Sequence, residues 1–140
     1  MSGVLRSTAS IFQLRCFSEA QKIYNAGLLT SWYYSVHLPQ NFEDTAESRS
    51  KNRKELIYRW NLSALKNSDI VVAVIDGSDA DSRTAWEVGY AMALGKRVIA
   101  IRTDFRRYND NELVNLMLET EAEVAGSSEE LLSLLLRGSV

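Results

Sequence analysis

The sequence has little of the chemistry that many enzymes depend on, with one cysteine, one histidine and one proline among 140 residues. Because Cys16 is alone, neither an intramolecular disulfide nor a cysteine-based zinc site can form, which is typical of a reducing compartment. A Ser-His-Asp or Cys-His centre would need His37. The alternating neighbours of that residue in 34–38 indicate a strand, so we expect His37 to have a structural role.

Long apolar runs and an excess of basic charge are also missing. No apolar run approaches the roughly 20 residues of a membrane span, and residues 1–13 lack the apolar centre of a secretory signal. The net charge is -2 with both signs interspersed, which disfavours binding to a polynucleotide. We therefore expect a cytoplasmic chain with no membrane or polynucleotide partner, folded as a single domain over 1–140.

Two apolar, β-branched runs at 70–76 and 97–102 are the clearest structural signals. Such runs are typical of parallel strands that are buried on both faces of a sheet. The segment between them, 84–94, has helical character, and Gly95-Lys96 is a typical helix end. Together these segments predict a βαβ unit.

The rest of the chain continues the alternation of strands and helices. We expect further strands at 10–16, 33–38 and 122–125, and helices at 18–29, 47–66 and 127–136. An alternative first strand at 22–27 would leave too few residues for a helix before Tyr33. The order predicts an α/β fold, a doubly wound, five-stranded parallel sheet with helices on both faces, Rossmann-like or flavodoxin-like.

In such sheets ligands bind beyond the carboxyl ends of the strands, which draws attention to the acidic loop 77–87. Its last residue, Glu87, is expected in the first turn of the following helix, where the helix dipole favours the carboxylate at neutral pH. An ionised carboxylate facing a pocket can attack a sugar carbon. Alternatively, Thr84 and Glu87 form a capping box, in which Glu87 bonds back to the helix start.

Several segments resemble the sequence signature of the nucleoside 2-deoxyribosyltransferase family. They are 17–20 (FSEA), 38–40 (LPQ), 69–77 (DIVVAVIDG), 81–91 (DSRTAWEVGYA), 93–96 (ALGK) and 114–118 (VNLML). The stretch from 69 to 96 is long and quite specific, and the resemblance covers the chain from Phe17 onward.

The resemblance implies an enzyme that cleaves the N-glycosidic bond of 2-deoxynucleosides and transfers the deoxyribosyl group to another nucleobase. Glu87 would be the nucleophile that forms a covalent intermediate. Asp81 would hold the sugar or the base edge, and Gln40 would contact the base. Asn115 and Met117 would reach into the site of a neighbouring subunit of a homo-oligomer. The implied partners are a nucleoside or nucleotide and a nucleobase, and no metal or organic cofactor is implied.

Three features near the expected site depart from the family pattern. The family's first strand ends in a small-residue turn, whereas this chain has the run 11–16, which would place Arg15 at the mouth of the pocket. Family members commonly carry an aspartate that protonates the leaving base where this chain has Asn61, whose amide can donate a hydrogen bond but cannot deliver a proton. Either another acid, such as Asp76, Asp79 or Asp81, then supplies the proton, or turnover is weak. Where the family has glycine after Asp-Ser, this chain has Arg83, a planar cation suited to phosphate.

These departures leave two further hypotheses open. Arg15 and Arg83 favour a nucleoside 5'-monophosphate N-glycosidase, whereas Asn61 and Arg83 also favour a nucleotide-binding module that has lost turnover. Both arginines would equally suit a solvated surface. The candidate substrate-binding residues are Gln40, Asn61, Asp76, Gly77, Ser82, Arg83, Asn115 and Met117.

Two groups of neighbouring residues are expected to be structural. We expect Trp86, Tyr90 and Met92 to pack in the core or at an interface. We expect 102–107, which is rich in arginine, to form a solvated loop near the site.

Overall fold

The computed structural model describes residues 9–14, 34–37, 42, 52–104 and 106–137. Its elements are β1 (Ala9–Leu14), β2 (Tyr34–His37), α1 (Arg53–Asn67), β3 (Ile70–Val74), α2 (Ser82–Ala93), β4 (Arg97–Ile101), α3 (Leu116–Glu119), β5 (Glu123–Ala125) and α4 (Ser128–Arg137). The helix expected at 18–29 lies outside these residues, as do Arg15 and Gln40.

The strands pair in parallel in the order β2-β1-β3-β4-β5. β3 and β4 lie side by side with Val72 opposite Ile99. The order of the strands reverses at β1, because β2 lies on one side of it and β3, β4 and β5 follow on the other. Such a reversal leaves a crevice at the carboxyl ends of the strands. The predicted α/β class is confirmed.

Successive residues of β3 and β4 face opposite sides of the sheet, which gives two separate clusters of buried side chains. On the side that we call the α1/α2 face, the strand residues pack with residues of α1 and α2, and the cluster includes Leu65, Val71, Ala73, Ile75, Val88, Ala91, Val98 and Ala100. On the opposite side, the α4 face, the cluster is Val72, Ile99, Ile101, Ala125, Leu131 and Leu135. Helices therefore cover both faces.

Helix α2 begins two residues before its expected start, and Asp81 occupies the N-cap position. Thr84 is consequently the third residue of the helix and only 2% exposed, so it cannot act as the cap. The capping-box interpretation of Thr84 and Glu87 is wrong. Glu87 is the sixth helical residue and lies in the second turn, so its expected position in the first turn is also wrong.

The end of α2 has the hydrogen bonds of a Schellman motif. Gly95 has φ of 71°, a conformation that a residue with a side chain adopts only with strain. The Lys96 amide donates to the Ala91 carbonyl at 3.0 Å, and the Gly95 amide donates to the Met92 carbonyl at 2.9 Å. The chain therefore turns sharply from α2 into β4, as the Gly95-Lys96 pair predicts.

The residue after β4 differs from the expectation of a solvated loop. Arg102 is 5% exposed, and its Nη1 donates to the Ile75 carbonyl at 2.8 Å. Its Nη2 donates to the Arg106 carbonyl. The prediction is wrong for Arg102, whereas Arg106 and Arg107 are exposed. None of the helices in the described ranges is long and apolar enough to cross a membrane.

Candidate active site

A cavity of about 500 Å³ opens between α1 and α2, a size within the usual range for small-molecule sites. We call it the α1/α2 cavity. The lining residues of α1 are spaced by one, three and four, which places them on one side of the helix. The cavity is lined by Lys54, Ile57, Tyr58, Asn61, Leu62, Leu65, Ser82, Arg83, Trp86 and Glu87.

Glu87 is the half-buried carboxylate of this cavity. The pKa of Glu87 is raised from 4.5 to about 7, first because a charged carboxylate loses hydration when it is buried, and second because of the negative charge of Asp81. The positive charge of Arg83 partly offsets both effects. Acid and carboxylate forms are therefore both populated near neutral pH.

This balance differs from the carboxylate expected from the helix dipole. The dipole acts mainly on groups within the first turn of a helix, and Glu87 lies beyond that turn. Burial and the neighbouring Asp81 therefore dominate. The expected preference for the ionised form is wrong, since at a pKa of about 7 both forms are populated near neutral pH.

The start of α2 places three candidate residues around Glu87. Asp81 is exposed and its side chain makes no capping hydrogen bond, although its charge is felt at Glu87. Ser82 and Arg83 are exposed residues of the first turn, and both line the cavity. The helix thus brings a hydroxyl and a guanidinium to the same opening as the Glu87 carboxylate.

Asn61 faces the cavity from α1, on the wall that α2 does not form. Its Oδ1 lies 3.2 Å from Nε2 of His37, the last residue of β2. Burial lowers the pKa of His37, and the hydrogen bond with Asn61 opposes that shift. His37 therefore contacts a candidate substrate-binding residue.

Asp76 and Gly77 lie outside the α1/α2 cavity lining and connect two loops. Asp76 accepts hydrogen bonds from the Thr103 amide and hydroxyl, both at 2.6 Å, and from the Asp104 amide at 2.9 Å. The Asp104 carboxylate accepts from the Gly77 amide at 3.1 Å. Both loops follow the carboxyl ends of neighbouring strands. Asp76, Thr103, Asp104 and Arg106 line a second, open depression there.

Asn115 and Met117 are likewise separate from the lining of the α1/α2 cavity. The Asn115 side chain caps α3 by accepting a hydrogen bond from the Met117 amide at 3.0 Å. Met117 is 70% exposed. Gln40 is not among the described residues. Within those residues, no cluster of three His, Cys, Asp or Glu side chains could hold a metal ion.

The sequence reasoning missed most of the α1 wall. Tyr58 and Trp86 are both about half exposed at the cavity, and their rings lie 6.1 Å apart. Trp86 also stacks on Tyr90, with ring centroids 5.2 Å apart. The spacing of positions 54, 57, 58, 61, 62 and 65 was visible in the sequence. The sequence predicts a helix at 47–66 there, but of these positions only Asn61 is a predicted site residue.

Comparisons with known proteins identify the family and the fold of the chain. The family model for nucleoside 2-deoxyribosyltransferase matches residues 15–129. No match was found among curated proteins. A solved 2-deoxyribosyltransferase from Bacillus psychrosaccharolyticus has 24% identity and a TM-score of 0.71, covering 88% of this chain and 90% of that one.

Two further solved structures share the fold. A 2-desoxiribosyltransferase from Leishmania mexicana has 20% identity and a TM-score of 0.72, covering 94% of this chain and 99% of that one. A CMP N-glycosidase from Clostridium botulinum has 20% identity and a TM-score of 0.59, with coverages of 90% and 97%. Because the family model matches most of its length, the chain belongs to the nucleoside 2-deoxyribosyltransferase family of enzymes.

Proposed function

We propose that the chain cleaves the N-glycosidic bond of 2-deoxynucleosides and transfers the deoxyribosyl group to another nucleobase through a covalent intermediate on Glu87. The observation that carries this proposal is the half-buried Glu87 carboxylate in the wall of a cavity of about 500 Å³. The doubly wound, five-stranded architecture is part of the proposal, because helices α1 and α2, which form the cavity walls, pack on the parallel sheet.

The reaction has two displacement steps at the anomeric carbon. A Glu87 carboxylate oxygen forms a bond to that carbon while the bond to the base nitrogen breaks, and the bonding electron pair leaves with the base. A nitrogen of the second base then forms a bond to the same carbon and loses its proton to solvent. The electron pair of the ester bond returns to Glu87. The negative carboxylate also stabilises the positive charge that develops on the sugar.

Departure of the first base requires stabilisation of the charge that it receives. The amide of Asn61 would donate a hydrogen bond to the base, which then takes its proton from water or from Asp81. Asp76 is engaged by the loop after β4, and the Asp79 carboxylate accepts a hydrogen bond from the Ala80 amide. Asp81, whose charge reaches Glu87, is therefore the acid that we favour. Asp81 would otherwise hold the sugar, and Gln40 would contact the base.

A direct test is to incubate the enzyme with a deoxynucleoside and a different free base. We expect a new deoxynucleoside, detected by chromatography. A slowly reacting 2-fluorinated nucleoside should leave a glycosyl adduct on the peptide that contains Glu87, detected by mass spectrometry. The matched control is Glu87→Gln, which keeps the shape of the side chain. Product formation by that variant at the wild-type rate would contradict the proposed nucleophile.

A second candidate function is hydrolysis of nucleoside 5'-monophosphates. Lys54 from α1 and Arg83 from α2 both line the cavity, and two cations can bind a phosphate. If this candidate holds, nucleotides without an acceptor base should release free base. Lys54→Met and Arg83→Met should then raise KM for nucleotides and leave KM for nucleosides unchanged.

Loss of turnover is the outcome that would favour a binding module. In that case the wild type binds nucleotides saturably and yields no product, whereas Asn61→Asp combined with Arg83→Gly creates activity. Inertness of both proteins against a broad panel of nucleosides and nucleotides would contradict all enzymatic proposals for the cavity.

We also propose that the single domain assembles as a cytoplasmic homo-oligomer. Exposed apolar side chains in one stretch of the sequence support this assembly, namely those of Tyr108, Leu113, Leu116 and Met117. Asn115 lies within that stretch and would contribute to a neighbouring site. Light scattering should report more than one subunit for the wild type. Met117→Glu should yield monomers with reduced turnover if the site is shared.

A further inference from the structure

His37 makes a side-chain hydrogen bond to a cavity residue. Its Nε2 lies 3.2 Å from Oδ1 of Asn61, across 24 positions of sequence. Asn61 lines the cavity that contains Glu87. A residue at the end of β2 is therefore connected to the proposed reaction through one amide group.

This hydrogen bond determines which end of the amide is available to a ligand. The carbonyl oxygen of an amide only accepts hydrogen bonds, whereas the nitrogen only donates. Because Oδ1 accepts from the His37 ring, Nδ2 is the end that remains to act within the cavity. Asn61 then presents a donor to the substrate.

Aromatic packing keeps the His37 ring in place. The ring packs against Trp60 with centroids 4.1 Å apart and an interplanar angle of 55°. On another side of Trp60 lies Phe42, at a centroid distance of 5.3 Å and nearly edge-on. Burial lowers the pKa of His37, which favours a neutral ring. Because the neighbouring Asn61 oxygen can only accept, the hydrogen bond requires the ring proton on Nε2.

We propose that His37 is a positioning residue that holds Asn61 with its amide nitrogen toward the departing base. This inference rests on the proposed function, and it specifies which leaving groups the site assists. The fixed donor recognises a ring nitrogen or carbonyl oxygen on the base edge. As the glycosidic bond breaks, that acceptor gains negative charge and the hydrogen bond strengthens.

The test uses leaving bases that differ in their need for a donor. An ordinary purine deoxynucleoside releases a base that gains negative charge, whereas its 7-methylated analogue releases a neutral base. We expect His37→Phe, which keeps an aromatic ring but cannot donate, to lower kcat about 10-fold for the ordinary substrate, the loss of one hydrogen bond. His37→Phe should react with the 7-methylated substrate at the same rate as the wild type does.

Three further variants separate positioning from packing. His37→Gln retains a donor and should recover most of the lost kcat. Phe42→Leu disturbs the same aromatic group without touching Asn61, so it should leave the ratio of the two rates unchanged. The double variant His37→Phe, Asn61→Ala should be no slower than Asn61→Ala, because each change removes the same hydrogen bond from Asn61 to the base. Equal losses on both substrates, or additive losses in the double variant, would overturn the proposal.

Calorimetric binding of free nucleobases distinguishes this inference from the proposed function. We expect the wild type and Glu87→Gln to bind a base equally, and His37→Phe to bind it about 10-fold more weakly. If no substrate reacts but this weakening is found, the proposed function fails and the positioning role stands. If substrates react and base binding is unaffected by His37→Phe, the positioning role fails alone.

Discussion

The two faces of the sheet differ in how completely the helices close over them. On the α4 face, Ile99 and Ile101 pack directly against Leu131 and Leu135, all at most 1% exposed. On the α1/α2 face, the packed cluster includes Leu65 and Ile75 together with three alanines, Ala73, Ala91 and Ala100. Helices α1 and α2 of this face also form the cavity. The α1/α2 face therefore combines a packed core with space for a ligand between its helices.

The same contrast appears in the charged groups. Beside the α4 face, Arg97 donates to the Glu123 carboxylate at 2.6 Å, and this pair lowers the pKa of Glu123. On the α1/α2 face, burial and the charge of a second carboxylate, Asp81, raise the pKa of Glu87. Paired charges stabilise the folded state, whereas an ionised Glu87 opposes it. This cost is typical of a functional site.

The largest expected effect comes from removing the carboxylate of the α1/α2 face. Glu87→Ala should lower turnover by about 10³-fold or more, because no other group replaces the nucleophile. The variant should remain folded, since Glu87 does not cap α2. Measurement of kcat together with the thermal midpoint checks both statements. An unfolded Glu87→Ala protein would contradict the division of roles between the two faces.

A comparable free energy is expected on the α4 face, but in stability rather than in rate. Leu131→Ala should destabilise the fold by about 2–5 kcal/mol, because it leaves a cavity among fully buried side chains. Leu136→Ala is the matched control, since Leu136 is 58% exposed on the same helix. Denaturant unfolding gives the two free energies. At denaturant concentrations below the unfolding transition, the turnover per folded molecule of Leu131→Ala should equal that of the wild type.

Much of the fold could be predicted because buried strands have a strong sequence pattern. The two apolar, β-branched runs that form β3 and β4 indicate both the strands and their parallel pairing. Gly95 marks the end of α2 through its positive φ. These signals are local, so sequence alone is sufficient to detect them.

The site was harder to predict because its properties depend on several elements. Shifting the start of α2 by two residues moved Glu87 from the first turn to the second, and its pKa then followed burial. The cavity wall of α1 has the same spacing as a packing face, so periodicity cannot separate the two. Arg102 became buried because distant carbonyls, such as that of Ile75, accept its hydrogen bonds.

The titration of Glu87 gives an intermediate effect. Its folded pKa is about 7, above the unfolded value of 4.5, so the folded state binds the proton more tightly. Stability is therefore lost as pH rises from 4.5 to 7, and the full loss is present above 7. Because the group is partly exposed, we expect a loss on the order of 1–2 kcal/mol.

Thermal midpoints of the wild type and Glu87→Gln, measured at intervals from about pH 5 to about pH 8, test this linkage. The glutamine variant should gain stability relative to the wild type as pH rises. In the same range, kcat/KM of the wild type should rise, since the carboxylate is the nucleophilic form. A constant difference in midpoint across the range would show that Glu87 has no raised pKa.

The smallest effect concerns a contact that holds the helices of the α1/α2 face together. The Lys96 ammonium, after α2, donates to the Lys66 carbonyl at 2.8 Å and to the Ser68 carbonyl at the end of α1. Lys96→Met should cost about 1 kcal/mol, because these carbonyls lose a charged donor. Lys66→Met is the control, since only the backbone of Lys66 accepts this bond. If the contact also sets the width of the cavity, Lys96→Met should weaken nucleoside binding as well. Equal shifts of the thermal midpoint in Lys96→Met and Lys66→Met would mean that the loss of a positive charge, and not the contact, explains the effect.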